Sequence, residues 1–242
     1  WDPVGGKVET LSIDIPSDRW ALRERTVNPR EWIQSFAPAV GGKAAVFEAR
    51  GDVYLVPAIE GEPTLNLTAT QGSRERFPQL SPDGRKVAFF SDRSGEYELF
   101  TCPATVRAPW TRLVTGLNTT PYHLEWSPDG SRILFGTKDF SIYVAEVATG
   151  KLTRIDHSNR LKNDEFVWEM SDYTWSPDSR WVAYSFVQEN RNNRIFLYSL
   201  DTGKSTPVTN DFYDSLNPTF DAAGDALYFL SYRNFTARMD LF

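Results

Sequence analysis

One four-residue turn recurs along the chain at a spacing few folds explain. Ser81-Pro82-Asp83-Gly84 precedes Arg85-Lys86-Val87-Ala88-Phe89-Phe90, Ser127-Pro128-Asp129-Gly130 precedes Ser131-Arg132-Ile133-Leu134-Phe135, and Ser176-Pro177-Asp178-Ser179 precedes Arg180-Trp181-Val182-Ala183-Tyr184. Degenerate copies flank them, at Gly41-Gly42-Lys43 and at Asp221-Ala222-Ala223-Gly224. Anchored on Gly42, Gly84, Gly130, Ser179 and Gly224, the steps are 42, 46, 49 and 45 residues. Proline presets φ, aspartate bonds nearby backbone, and glycine takes φ > 0, so each copy is a turn.

A short run ending in a large residue (Leu80, Trp126, Trp175, Phe220) precedes each of the last four turns, and an apolar run follows. These are two strands of a hairpin. A third strand follows at 53–56, 98–101, 142–145 and 195–198, and a fourth at 64–67, 111–114, 152–155 and 206–209. Four antiparallel strands in about 45 residues is the blade of a β-propeller. A β-sandwich would also show frequent turns, but gives no reason for the same turn to return at this period. The sequence therefore predicts an all-β fold, a β-propeller of four-stranded antiparallel blades. Approximate blade limits are 35–70, 71–116, 117–156, 157–210 and an incomplete 211–242. Residues 1–34 form a lead-in, in which 8–15 alternate as a strand, possible as the outer strand of a preceding blade. About five blades are present, as part of a ring that the chain does not complete, since propellers close with roughly 4 to 8 blades. The segment 156–172, with Phe166, Trp168 and Met170, is expected to be an ordered surface or channel loop with one helical turn.

Composition removes several function classes. The net charge is -6, from 26 Lys+Arg and 32 Asp+Glu, which argues against a general nucleic-acid binder. The longest uninterrupted apolar run, Ala226 to Leu230, is far below the roughly 20 residues that span a bilayer, so no membrane partner is expected. Cys102 is the only cysteine, and His123 and His157 are the only histidines. No disulfide can form within the chain, and a zinc site built on Cys or several His is nearly excluded. Asp83, Asp129 and Asp178 recur because the turn needs them, and no Asp-x-Asp-x-Asp-Gly calcium loop is present. Neither metal nor cofactor is expected. The chain starts at Trp1 and carries no targeting pattern, which suggests an excised or processed segment. Arg50-Gly51-Asp52 matches an adhesion tripeptide but sits between two strands, where a turn role is expected.

No Gly-x-Ser-x-Gly elbow is present, so no catalytic residue is assigned. Candidate site residues come instead from the first strand of each blade, which lines a propeller's central hole. The repeat alignment places Arg74-Glu75-Arg76, Pro121-Tyr122-His123, Ser171-Asp172-Tyr173 and Ser215-Leu216-Asn217 there. That lining mixes polar and aromatic groups, as a channel for unfolded peptide requires. Arg74, Arg76, Tyr122, His123 and Asp172 are the substrate-channel candidates. Arg74 and Arg76 suit a peptide carboxylate. The structural alternative pairs them with Glu75, Glu96 or Glu98 within the blade.

The Ser-Pro-Asp-Gly hairpins resemble those of the Tol-system propeller and of prolyl-oligopeptidase-like enzymes. The longer run of phrases resembles the tricorn protease family: Ala49-Arg50-Gly51-Asp52, Asn66-Leu67-Thr68, Arg74-Glu75-Arg76-Phe77-Pro78, Ser91-Asp92-Arg93-Ser94-Gly95-Glu96-Tyr97-Glu98-Leu99 and Tyr228-Phe229-Leu230-Ser231. It covers about Val8 to Phe235 and is most similar to that family's second, seven-bladed propeller. Tyr232 departs from the acidic residue usual after Ser231. The resemblance implies a non-catalytic segment of a large cytoplasmic, homo-oligomeric serine peptidase. Its partners would be peptide substrates and the remaining domains of the parent, where the catalytic residues lie. Two alternatives stay open, a stand-alone propeller scaffold for protein interaction and the gating propeller of a prolyl-oligopeptidase-like enzyme.

Overall fold

The computed structural model describes residues 28–105, 109–158 and 172–233. The strand expected at 8–15, the loop residues Phe166, Trp168 and Met170, and a third strand of the last blade near 239–242 lie outside the described residues.

Each repeat folds as a separate antiparallel sheet. The first contains β1 (Ile33–Pro38), β2 (Ala44–Ala49), β3 (Asp52–Pro57) and β4 (Leu65–Asn66) in that spatial order. The second contains β5 (Glu75–Leu80), β6 (Lys86–Ser91), β7 (Glu98–Pro103) and β8 (Thr111–Val114). The third contains β9 (Pro121–Trp126), β10 (Arg132–Thr137), β11 (Ser141–Glu146) and β12 (Leu152–His157). The fourth contains β13 (Tyr173–Trp175), β14 (Trp181–Val187), β15 (Asn193–Ser199) and β16 (Lys204–Pro207). A fifth begins with β17 (Ser215–Phe220) and β18 (Leu227–Ser231). Among the described residues, the helical structure is a single 3-10 turn, Pro29–Trp32, whose Arg30 amide is capped by Asn28 Oδ1.

The turns fold for a reason the four letters only half disclose: the buried serine is the hub. Ser81 Oγ donates to Asp83 Oδ1 (2.6 Å) and accepts from Lys86 N (2.9 Å), while Gly84 N donates to Ser81 O. Ser127 with Asp129 and Arg132, and Ser176 with Asp178 and Trp181, repeat this pattern. In the degenerate fifth copy Asp221 Oδ1 takes the serine's place and accepts from Ala226 N at 2.9 Å. Successive turns also touch. Ser179, which holds φ 60° where its sister repeats have glycine, accepts from Asp129 N through Oγ at 3.0 Å. The serine thus exchanges backbone strain for a bond to the preceding blade. Arg50 (φ 54°) and Gly51 (φ 87°) form the tight turn between β2 and β3, so the adhesion-like tripeptide is a hairpin turn.

The turn carboxylates set an acid limit. Hydrogen bonds from Ser81 and Ser176 hold Asp83 and Asp178 below the ordinary carboxylate range. At Asp129 burial pushes upward, but bonds from Ser127 and Ser131 outweigh it and the net displacement is downward. A depressed folded-state value adds stability above the unfolded aspartate value, and that stability disappears as pH falls through the folded one. The unfolding midpoint is therefore expected to be flat near neutrality and to drop below about pH 4, where unfolded Asp titrates. Denaturant titrations from pH 2.5 to 7 (chosen to bracket about pH 4) check this. The combined Ser81→Ala, Ser127→Ala, Ser176→Ala variant should show a shallower acid slope. An unchanged slope would contradict the assignment.

Apolar burial lies between neighbouring sheets. Val46, Val53, Leu55 and Leu67 of the first blade pack on Leu80, Val87, Phe89 and Phe100 of the second. Ala88, Phe90 and Leu99 pack on Leu124, Ile133 and Phe135 of the third. Leu134, Ile142 and Val144 pack on Tyr173, Val182 and Tyr184 of the fourth. Trp126 Nε1 donates to Gln79 O (3.1 Å) and Trp175 Nε1 to Glu125 O (3.4 Å), so two of the large residues ending the first strands fasten a blade to its predecessor. The described sheets at either end expose apolar groups, Phe36 at one and Tyr228 and Leu230 at the other.

Candidate functional site

The first strand of each blade pairs on one side only, and β1 lies against β5, β5 against β9 and β13 against β17. These strands converge with their free edges toward a common line. Antiparallel order then puts the start of every first strand on one rim and every Ser-Pro-Asp turn on the other. Arg74, Arg76, Tyr122, His123 and Asp172 all stand at first-strand starts, hence on the same rim.

The innermost strands are not regular. Register shifts mark bulges at Phe77 in β5, His123 in β9 and Asn217 in β17. Each bulge residue has positive φ: 51°, 24° and 52°. Each stands three positions before the large strand-ending residue, where Asp172 stands relative to Trp175. A left-handed φ is uncommon for a bulky side chain, and such strain persists only where surroundings enforce it. The bulges turn a backbone N–H toward the preceding blade. Phe77 N donates to Glu48 Oε2 (3.2 Å) and Asn217 N to Asp172 Oδ2 (3.0 Å). Between the third and fourth blades a phenol does the bridging: Tyr173 OH donates to His123 O and accepts from Gly136 N (3.0 Å).

The candidates divide by what they touch. Arg74 pairs with Glu48 of the preceding blade at 3.3 Å, not with Glu75, Glu96 or Glu98. Glu48 is buried and accepts from Ser35 Oγ as well. Glu75, also buried, is occupied by the hydroxyls of Thr70, Ser73 and Ser91, while Glu98 receives Ser94 and Arg112. Among the described residues Arg76 has no such carboxylate; its guanidinium carbon lies 4.5 Å from the Phe77 ring centroid and 5.9 Å from that of Tyr97. Tyr122 meets Phe77 edge-on across the blade boundary at 6.4 Å. His123 Nε2 is 3.6 Å from Glu125, and its ring is 6.2 Å from that of Tyr173. Asp172 accepts from Ser185 Oγ and Asn217 N, and is a blade-to-blade tie. Glu48, Phe77 and Tyr173 are rim residues that the candidate set lacks. Asn217 and His123 carried a sequence signal for the bulge, since asparagine and histidine are enriched in left-handed backbone; Phe77 carried none.

Ser141 Oγ lies 2.9 Å from His157 Nδ1, which superficially resembles half a triad. The arrangement is wrong for nucleophilic attack. Ser141 is fully buried, and the nearby carboxylate, Asp139, accepts from the serine instead of orienting the histidine. Among the described residues no cluster of His, Cys, Asp and Glu has metal-ligating geometry.

A family model for the tricorn protease second beta propeller domain matches residues 33–242. Tricorn protease homolog 1 of Streptomyces coelicolor is 29% identical over 97% of this chain and 22% of its own length. The tricorn protease homolog of Saccharolobus solfataricus is 24% identical over 97% of this chain and 20% of its own. The chain thus spans about a fifth of the curated relatives it matches. The crystal structure of the tricorn protease superimposes with a TM-score of 0.75 at 23% identity, covering 88% of this chain and 20% of that one. TolB from Acinetobacter baumannii superimposes with a TM-score of 0.54 at 21% identity, over 81% of this chain and 47% of that one. These two likenesses concern the fold. With the repeated four-stranded sheets and the matched span, they give one conclusion: the chain belongs to the tricorn protease second β-propeller family.

Proposed function

We propose that this propeller segment guides extended peptides along its innermost strands toward a peptidase core outside the chain, and hydrolyses nothing itself. The observation that carries the reading is the rim: converging first strands with free edges, bearing Arg76, Phe77, Tyr122 and His123 at one end. Free strand edges offer main-chain hydrogen bonds to any extended peptide, and the aromatic groups accept varied side chains. The parent would be a protease, in keeping with the relatives named above; we propose in addition that it is a cytoplasmic, oligomeric serine peptidase.

The purified chain is expected to bind unstructured, fluorescently labelled peptides and to leave them intact on prolonged incubation. Anisotropy and mass spectrometry on the same sample measure both. Peptide cleavage that a serine-directed reagent abolishes would overturn the non-catalytic part. An absence of binding to every peptide tried would overturn the guiding part.

A further inference from the structure

We propose that Arg76 is the anchor of a carboxylate-binding subsite at the boundary between the second and third blades. The inference rests on the peptide-guiding reading and specifies which peptide group the rim engages. Two arginines stand at the start of β5, and the structure separates them. Arg74 is spent on Glu48. Arg76 forms no ion pair and no side-chain hydrogen bond among the described residues, and its Nε is buried without an acceptor. Desolvating a guanidinium N–H without a partner is unfavourable, and an anion seated on the same guanidinium offsets part of that penalty through its charge.

The surroundings hold the guanidinium ready. Phe77 and Tyr97 pack on it, and Tyr122 of the next blade closes edge-on against Phe77. Phe77 is itself fixed by the bulge whose N–H is tied to Glu48. Aromatic packing sets the plane of the guanidinium, and a carboxylate is recognised in that plane by two parallel N–H bonds. The aromatic walls suit an apolar residue beside the carboxylate. The ligand chemistry is therefore a carboxylate next to an apolar side chain on an extended peptide. Either a C-terminal carboxylate or an Asp or Glu side chain supplies it.

The test uses the full chain and three N-terminally labelled octapeptides ending in Leu-Phe: the free acid, its C-terminal amide, and the amide with glutamate before the last residue. The wild-type chain should bind the free acid about tenfold or more tightly than the plain amide, the range of a charge-assisted hydrogen-bonded pair. Arg76→Met should bind both alike, at the level of the amide. Arg76→Lys, which keeps the charge and loses the fork, should recover part of the difference. Glutamate-peptide binding as tight as the free acid assigns the site to side-chain carboxylates as well; binding as weak as the plain amide assigns it to the terminus. Equal binding of all three peptides to the wild type overturns the subsite and leaves peptide guiding intact, whereas equal binding of acid and plain amide with tighter binding of the glutamate peptide assigns the site to side-chain carboxylates alone. No binding of any peptide overturns both. If Arg76→Met does not melt cooperatively, Arg76→Lys decides, and undiminished discrimination there overturns the proposal.

Discussion

Replacing Gly150 with alanine is expected to destabilise the chain by about 2–5 kcal/mol, the sum of left-handed strain and a backbone clash. Gly150 holds φ +72°, and a Cβ built on it would stand 2.4 Å from the carbonyl oxygen of Leu113. Leu113 belongs to β8, the outer strand of the preceding blade, so relief requires two sheets to move apart. Gly130 is the matched control. It holds φ +69° in a Ser-Pro-Asp-Gly turn, but its nearest neighbour would be Pro82 Cδ at 3.7 Å. Alanine there meets the strain alone, about 1–2 kcal/mol. Denaturant midpoints of the two variants, taken side by side, measure the difference. Equal losses would show that the third and second blades do not approach as described.

Removing the Glu48 carboxylate should have an effect of similar size, about 2–4 kcal/mol for Glu48→Ala, because buried donors lose their acceptor. Glu48 is 1% exposed and accepts from Ser35 Oγ, Arg74 Nη2 and Phe77 N. The Phe77 bulge then keeps its strain without the bond that compensates for it. Arg74→Ala removes the partner whose side chain is 45% exposed, and solvent screening limits that loss to about 1 kcal/mol. The order of the two variants is the prediction. Arg74→Ala as damaging as Glu48→Ala would mean that the ion pair, not the bulge, joins these blades.

How much of this was legible in the sequence follows from how local each feature is. Ser-Pro-Asp-Gly fixes its own backbone, so the hairpins and their period were readable from residues a few positions apart. The large residues ending the first strands were visible as a pattern, but the bonds from Trp126 to Gln79 O and from Trp175 to Glu125 O span 47 and 50 positions. The structural alternative for Arg74 named Glu75, Glu96 or Glu98, and the partner is Glu48, 26 positions away in another sheet. Glu75 was out of contention because three hydroxyls already surround it. The bulges were hidden for a different reason: nothing in the identity of Phe77 announces positive φ, and histidine or asparagine is only enriched there, not diagnostic of it. The alignment of repeats did place Arg76, Tyr122, His123 and Asp172 on one rim, because blade register carries over from turn to turn. It could not separate Asp172, tied to Ser185 and Asn217, from Arg76, which is tied to no acceptor among the described residues.

The central claim, that peptides run along the innermost strands, is tested most directly by photo-crosslinking. An unstructured peptide carrying one benzophenone side chain is irradiated with the intact chain, and the adducts are located by mass spectrometry. The account predicts adducts concentrated at the first-strand starts, around Arg76-Phe77 and Tyr122-His123, and suppressed by excess unlabelled peptide. Adducts on the outer strands, such as Thr111–Val114 or Lys204–Pro207, or an even scatter indifferent to competitor, would contradict it.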